Sequence, residues 1–157
     1  MILICLTPGK GIGTSTQQQP QKYDNNISLK DFFFFLSQEI VILLDISGSM
    51  DLGFRLDIAK HVVFNVMSTL SEDDFITVLT FANDTRSLVD WFVDPLGDPE
   101  LVQASKENIG EFTESVKQIQ TQGIANFSIA FNAAFNLMEK YRTNKVNDIK
   151  TLYVNIF

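Results

Sequence analysis

The sequence predicts an α/β protein built on a doubly wound, mostly parallel sheet. Three observations carry that prediction. Val41–Leu44 is an unbroken apolar run ending in Asp45-Ile46-Ser47-Gly48-Ser49, which suits a strand covered on both faces and stopped by a polar turn. Apolar residues then recur at helical spacing from Arg55 to Leu70. A second run, Phe75–Phe81, is rich in β-branched and aromatic residues. Strand, amphipathic helix and strand in that order imply a βαβ crossover and parallel pairing.

Each element has its own signal. Ile40–Leu44 is the first strand of the regular region. In the following helix Leu56, Ala59, Val62, Val63, Val66, Met67 and Leu70 form one stripe. Ser71-Glu72-Asp73-Asp74 breaks it, and Asn83-Asp84 turns the chain after Phe75–Phe81. Ser87–Val93 reads as a short strand carrying Trp91, and Asp94–Pro99 as a loop. Ile109, Phe112, Val116 and Ile119 mark another helix, ending near Gly123. Ile129, Ala133, Leu137 and Tyr141 mark the next, and Lys150–Ile156 begins a further strand.

Composition bounds the function. A chain of 157 residues with 45% apolar and 20% charged residues allows one domain with a sizeable core. A net charge of −7 without a basic stripe argues against nucleic acid and anionic membrane surfaces. The lone cysteine, Cys5, permits no internal disulfide. His61 is also solitary and falls inside a helical pattern, as a packing or surface residue does. No window approaches the roughly 18 consecutive apolar residues of a membrane span. Met1–Leu6 is apolar but stops at Thr7-Pro8, too short for a secretory signal. Asn26, Asn83 and Asn126 each begin an Asn-x-Ser/Thr sequon, which matters only in a secreted protein.

The chemistry is concentrated after the first strand. Asp45, Ser47 and Ser49 place one carboxylate and two hydroxyls at a strand's carboxyl end, with Gly48 between the hydroxyls to let the backbone turn. Open α/β sheets bind ligands at that end of their strands. Oxygen-only donors suit a hard divalent cation, Mg²⁺ above all. Asp73 and Asp74 precede the second strand, belong at its opposite end, and read as solvated turn residues or a helix-terminal feature. Gly9-Lys10-Gly11-Ile12-Gly13-Thr14 is not a phosphate loop, because the order is wrong and no strand precedes it.

Asp45, Ser47 and Ser49 fall on the motif that opens the metal-ion-dependent adhesion site of the von Willebrand factor A domain family, which this sequence resembles. Further segments narrow the likeness: Ile58-Ala59-Lys60-His61, Leu70-Ser71-Glu72-Asp73-Asp74-Phe75, Leu101-Val102-Gln103-Ala104, Gly123-Ile124 and Ala130-Phe131-Asn132-Ala133-Ala134-Phe135. Together they look like the A domain of the alpha-2-delta auxiliary subunits of voltage-gated calcium channels. The resemblance covers about residues 39–153. It implies a Rossmann-like fold and a divalent cation, Mg²⁺ or Ca²⁺, held by Asp45, Ser47 and Ser49. It also implies a membrane-attached extracellular glycoprotein whose metal is completed by an acidic side chain of the pore-forming subunit.

Two positions depart from that pattern. Where A domains supply a threonine, this chain has Ala125, so water, Asn126 or Ser128 would have to substitute. The second aspartate, expected after the strand containing Thr151-Leu152-Tyr153-Val154, is absent, because Asn155-Ile156-Phe157 follows. The resemblance therefore implies the N-terminal two-thirds of an A domain over residues 39–157, incomplete at its C-terminal end. Residues 1–38 lie outside it. Thr16–Asn26 is polar and Gln/Asn-rich, the composition of a disordered segment. Phe32–Phe35 followed by Leu36-Ser37-Gln38 can translate a pyrimidine tract ending in CAG, and Val154-Asn155 can translate GTAAAT. Read-through of non-coding sequence at both ends, around residues 1–38 and 154–157, is therefore expected.

Three function classes follow. The first is a non-catalytic, metal-bridged binding module of a channel auxiliary subunit. The second is an extracellular A-domain adhesion protein using the same site, against which the Leu101–Ala104 and Gly123-Ile124 segments argue. The third is an enzyme, for which the sequence offers no Walker motif, no Cys/His pair and no base for Ser47 or Ser49.

Overall fold

The computed structural model describes residues 2–7 and 38–154. Expectations for Gly9–Thr14, Thr16–Asn26 and Phe32–Phe35 lie outside these residues. Strand β1 (Ile2–Thr7) and strand β2 (Glu39–Asp45) are followed by a 3-10 stretch, Gly48–Phe54, and helix α1 (Arg55–Ser68). Next come β3 (Phe75–Phe81), β4 (Thr85–Ser87), β5 (Val102–Gln103), α2 (Lys106–Gln118) and α3 (Phe127–Val154).

The α/β class is as the sequence predicts, with β2 and β3 parallel from Glu39↔Phe75 to Asp45↔Phe81. The sheet as a whole is mixed. β1 runs antiparallel to β2, with Ile2 opposite Leu44 and Thr7 opposite Glu39. β4 and β5 pair antiparallel with the two ends of β3. Two expectations change. No strand begins at Lys150, because α3 continues to Val154, and the edge of β2 away from β3 is already paired with β1. In place of the Ser87–Val93 strand there is one at Thr85–Ser87, sharing only Ser87 with it, and Trp91 lies in a turn beyond it, 65% exposed.

Every residue of β2 is buried, which is why its sequence does not alternate. Alternate side chains serve two apolar layers. Ile40, Ile42 and Leu44 join Ile76, Val78, Ala59, Val63, Met67, Phe112 and Val116 on the face covered by α1 and α2. Val41 and Leu43 join Leu79, Phe81, Ala130, Ala134, Leu137 and Met138 on the face covered by α3. The ring of Phe92 meets that of Phe112 edge-on, with centroids 5.0 Å apart, and closes the first layer.

The helix ends are held by specific bonds. Ser105 caps α2, its Oγ accepting the Asn108 amide at 3.2 Å. Lys60 Nζ donates to the carbonyl oxygens of Lys117 and Ile119, at 3.1 and 2.8 Å, placing a cation at the α2 carboxyl end. Asp74 is nearly buried in the turn before β3. It accepts the amides of Ser71 and Gln38 and the Ser71 hydroxyl at 2.8 to 2.9 Å. Burial pushes the Asp74 carboxyl up, but these donors outweigh it and hold it below the ordinary carboxylate range. It lies at the opposite end of the sheet from Asp45, as its position before the strand implies. It is a buried turn acceptor and not the solvated residue expected, because three donors converge on its carboxylate.

Candidate metal centre at the carboxyl end of the parallel strands

Three loops meet where β2 and β3 end. The parallel ladder runs one residue beyond the strands, with Ile46 N–H donating to the Phe81 carbonyl at 3.0 Å. The third loop, Gln122–Asn126, leads into α3. Gln122 N–H donates to Ile46 O at 2.7 Å, Gly48 N–H to Gly123 O at 3.0 Å, and Asn126 N–H to Ala82 O at 2.9 Å. The backbone of each loop is therefore bonded to another, as buried polar backbone requires.

The three sequence-predicted residues come together here. Asp45 ends β2 and is buried. Its Oδ1 accepts the Ser47 amide at 2.9 Å, a short local turn that folds the loop back over the carboxylate. Ser47 is 2% exposed and precedes the 3-10 stretch, its carbonyl accepting the Met50 amide at 2.9 Å. Ser49 is exposed, and its hydroxyl lies 3.0 Å from that of Ser47. Arg55 reaches back to the Ser49 carbonyl at 3.4 Å.

The glycine requirement falls elsewhere than the sequence suggests. Gly48 is not among the residues with positive φ, and a Cβ there would meet only Gly123 O at an ordinary 3.5 Å. Gly123 is the constrained one. Its φ is +66°, and a Cβ would lie 2.8 Å from Asn83 Oδ1. Asn83 is the residue that sequence reasoning missed. Its Oδ1 accepts the Ile124 amide at 2.8 Å across 41 positions of chain. No local pattern signals such a bond.

The substitutes weighed for the absent threonine are placed differently. Asn126 Oδ1 accepts the Ile129 amide at 3.3 Å, the capping arrangement of a helix start. Ala125 packs against the α3-side core. Beside the serine loop, Ala82, Asn83, Asp84, Arg86, Gln122 and Gly123 line a small open hollow of about 160 Å³. Arg86 bonds Asp84 at 2.7 Å and holds its carboxyl below the usual range. His61 is on the exposed side of α1, its Nδ1 2.8 Å from the Asp57 carbonyl oxygen, as expected of a surface histidine.

Among the described residues, no three carboxylate, imidazole or thiol side chains gather. The donor set at the β2 terminus is one carboxylate and two adjacent hydroxyls, all hard oxygen. Such a set fits Mg²⁺ or Ca²⁺ and offers neither the thiolate nor the imidazole donors that softer metals prefer.

Residues 40–152 match the von Willebrand factor type A domain family. The chain belongs to that family. A solved von Willebrand factor type A protein from Catenulispora acidiphila superposes with a TM-score of 0.54 at 22% identity, over 65% of this chain and 22% of that one. That likeness concerns the fold alone. Among curated proteins, the chain is similar to the voltage-dependent calcium channel subunit alpha-2/delta-3 of Mus musculus, 36% identical over 104 residues. The human alpha-2/delta-4 subunit is 32% identical over 108 residues, and the calcium channel protein unc-36 of Caenorhabditis elegans 31% over 103. These alignments cover 66, 69 and 65% of this chain. The chain spans only 8 to 9% of those relatives' own length. Among the described residues, no helix is long and apolar enough to cross a membrane.

Proposed function

We propose that this A domain is a non-catalytic, metal-dependent binding module of a voltage-gated calcium channel auxiliary subunit of the alpha-2/delta kind. Asp45, Ser47 and Ser49 would hold a divalent cation, Mg²⁺ or Ca²⁺. An acidic side chain of the pore-forming subunit, on the extracellular face of the plasma membrane, would complete its shell. The observation that carries this reading is the 3.0 Å approach of the two serine hydroxyls at the strand end where the carboxylate of Asp45 lies.

The chemistry supports the reading step by step. A cation bound by one carboxylate and two neutral hydroxyls keeps a net positive charge and open coordination positions. An incoming carboxylate meets both needs at once. The bound metal would thus supply Lewis acidity directed at a partner's oxygen. The fixed serine loop would supply orientation. The chain's single histidine bonds a backbone carbonyl on α1, so the serines are read as donors to a metal and not as nucleophiles. The similarity to alpha-2/delta subunits over 104 to 108 residues directs the partner assignment to a pore-forming channel subunit.

The test is co-precipitation of the chain with the extracellular loops of pore-forming subunits in Mg²⁺ and in chelator. Capture that needs the metal and is lost in Asp45→Ala is expected. Capture unaffected by both would end the proposal.

A further inference from the structure

At Gly48, between its two serines, the serine loop is held from outside by one peptide group. The carbonyl of Gly123 accepts the Gly48 amide at 3.0 Å, and the amide of Ile124 donates to Asn83 Oδ1 at 2.8 Å. These two bonds belong to one unit, the peptide joining Gly123 to Ile124. A trans peptide is planar, with its C=O and N–H directed oppositely, so fixing one end fixes the other. Asn83 on the loop after β3 therefore sets the direction of the carbonyl that holds Gly48. Gly48 stands between Ser47 and Ser49, whose hydroxyls lie 3.0 Å apart. Hydrogen bonds in series through one amide also polarise each other.

Gly123 is shaped for this relay. Its φ of +66° turns the peptide plane into line, and the space a side chain would take is filled by the Asn83 amide, whose oxygen would be 2.8 Å from a Cβ. Glycine is the residue that meets both conditions.

We infer that Asn83 is a positioning residue for metal binding, acting through the Gly123–Ile124 peptide and Gly48 on the hydroxyls of Ser47 and Ser49. The inference rests on the reading of Asp45, Ser47 and Ser49 as metal ligands. Asn83 itself need not touch the ion. Residues that orient metal ligands commonly change affinity by about 10-fold or more when removed.

The experiment is Mg²⁺ titration calorimetry on the full chain, comparing wild type, Asn83→Ala, Asn83→Asp and Asp45→Ala, with metal-free melting of each. Asn83→Ala removes the acceptor and is expected to raise Kd about 10-fold. Asn83→Asp keeps an acceptor oxygen at the same place and should bind at least as tightly as wild type. Metal-free melting should not account for the difference. Wild-type affinity in Asn83→Ala alongside lost binding in Asp45→Ala overturns the relay while sparing the ligand assignment. Undiminished binding in Asp45→Ala, or none in wild type, overturns the ligand assignment and the relay together. If Asn83→Ala does not fold, amide hydrogen exchange on wild type decides. Saturating Mg²⁺ should slow exchange at both Gly48 and Ile124. Slowing at Gly48 with Ile124 unchanged overturns the inference.

Discussion

The amide of Ser47 donates to Oδ1 of Asp45 at 2.9 Å, and both residues are buried. The carboxylate is thus a structural acceptor, and in the proposed metal site it is also the one charged oxygen donor; the two roles separate by mutation. Asp45→Ala leaves a buried N–H without its acceptor and is expected to cost about 1–3 kcal/mol. Asp45→Asn keeps the amide-accepting oxygen and should lose less stability. Both should lose Mg²⁺ binding, since hydroxyls alone do not balance a divalent charge. Urea denaturation and titration calorimetry on the pair check this, and tight Mg²⁺ binding by either variant contradicts it.

Tyr141 on α3 gives the fold an alkaline limit. Burial, then the charges of Glu39 and Glu100, push its phenol up to about 12. Its ring packs on Phe75, with centroids 5.5 Å apart. An unfolded tyrosine titrates near about 10. The folded state therefore holds the proton longer, and the resulting stability is complete below that pH. It is lost as pH rises from about 10 through about 12. Absorbance titration should show a late-ionising tyrosine that is missing in Tyr141→Phe. A phenol that ionises near its ordinary value in the folded chain contradicts the burial argument.

The first parallel strand and the serine loop were legible in sequence because their signals are local. β2 shows itself as an apolar run with no alternation, and its polar stop falls where the ladder ends. What escaped was non-local. β1 lies opposite β2 in a register linking Ile2 to Leu44, and no periodicity within Ile2–Thr7 announces a partner so far along the chain. The same pairing occupies the β2 edge that the expected strand from Lys150 would have needed.

On α3 the apolar stripe of Ala133, Leu137 and Tyr141 does face the sheet, and only its first member is misplaced. Ile129 is 44% exposed, whereas Ala130 and Ala134 are buried against the sheet. Small residues let helix and sheet approach closely, a packing preference that a hydrophobicity stripe does not register. Asn83 and Gly123 escaped for a related reason. Their importance lies in one hydrogen bond and one close approach between loops that the sequence lists far apart.

Thr77 is a site where the fold carries a removable cost. It stands opposite Val41 in the parallel pair, is fully buried, and its hydroxyl has no hydrogen-bond partner. Strand alternation puts it on the same face as Leu79 and Phe81, in the α3-side layer. Thr77→Val replaces the hydroxyl by a methyl of similar shape and keeps the β-branch that suits a strand. A gain of about 1 kcal/mol is expected from relieving the unsatisfied group. Denaturation curves for the two proteins measure it. A loss of stability would show that the hydroxyl is satisfied in solution.

Gly48 and Gly123 bond each other, yet alanine should affect them very unequally. At Gly48 a methyl meets the Gly123 carbonyl at 3.5 Å with no positive φ, so Gly48→Ala should leave stability within about 0.5 kcal/mol. At Gly123 the same methyl must adopt φ near +66° and approach Asn83 Oδ1 to 2.8 Å. The left-handed conformation alone costs alanine about 1–2 kcal/mol, and the collision adds to it. Because that collision is with one side chain, the two effects are separable. The double variant Gly123→Ala with Asn83→Ala should lose less stability than the sum of the singles, retaining the conformational cost but not the clash. Thermal melts of the singles and the double close that cycle. Strict additivity would mean that Asn83 does not fill the space beside Gly123.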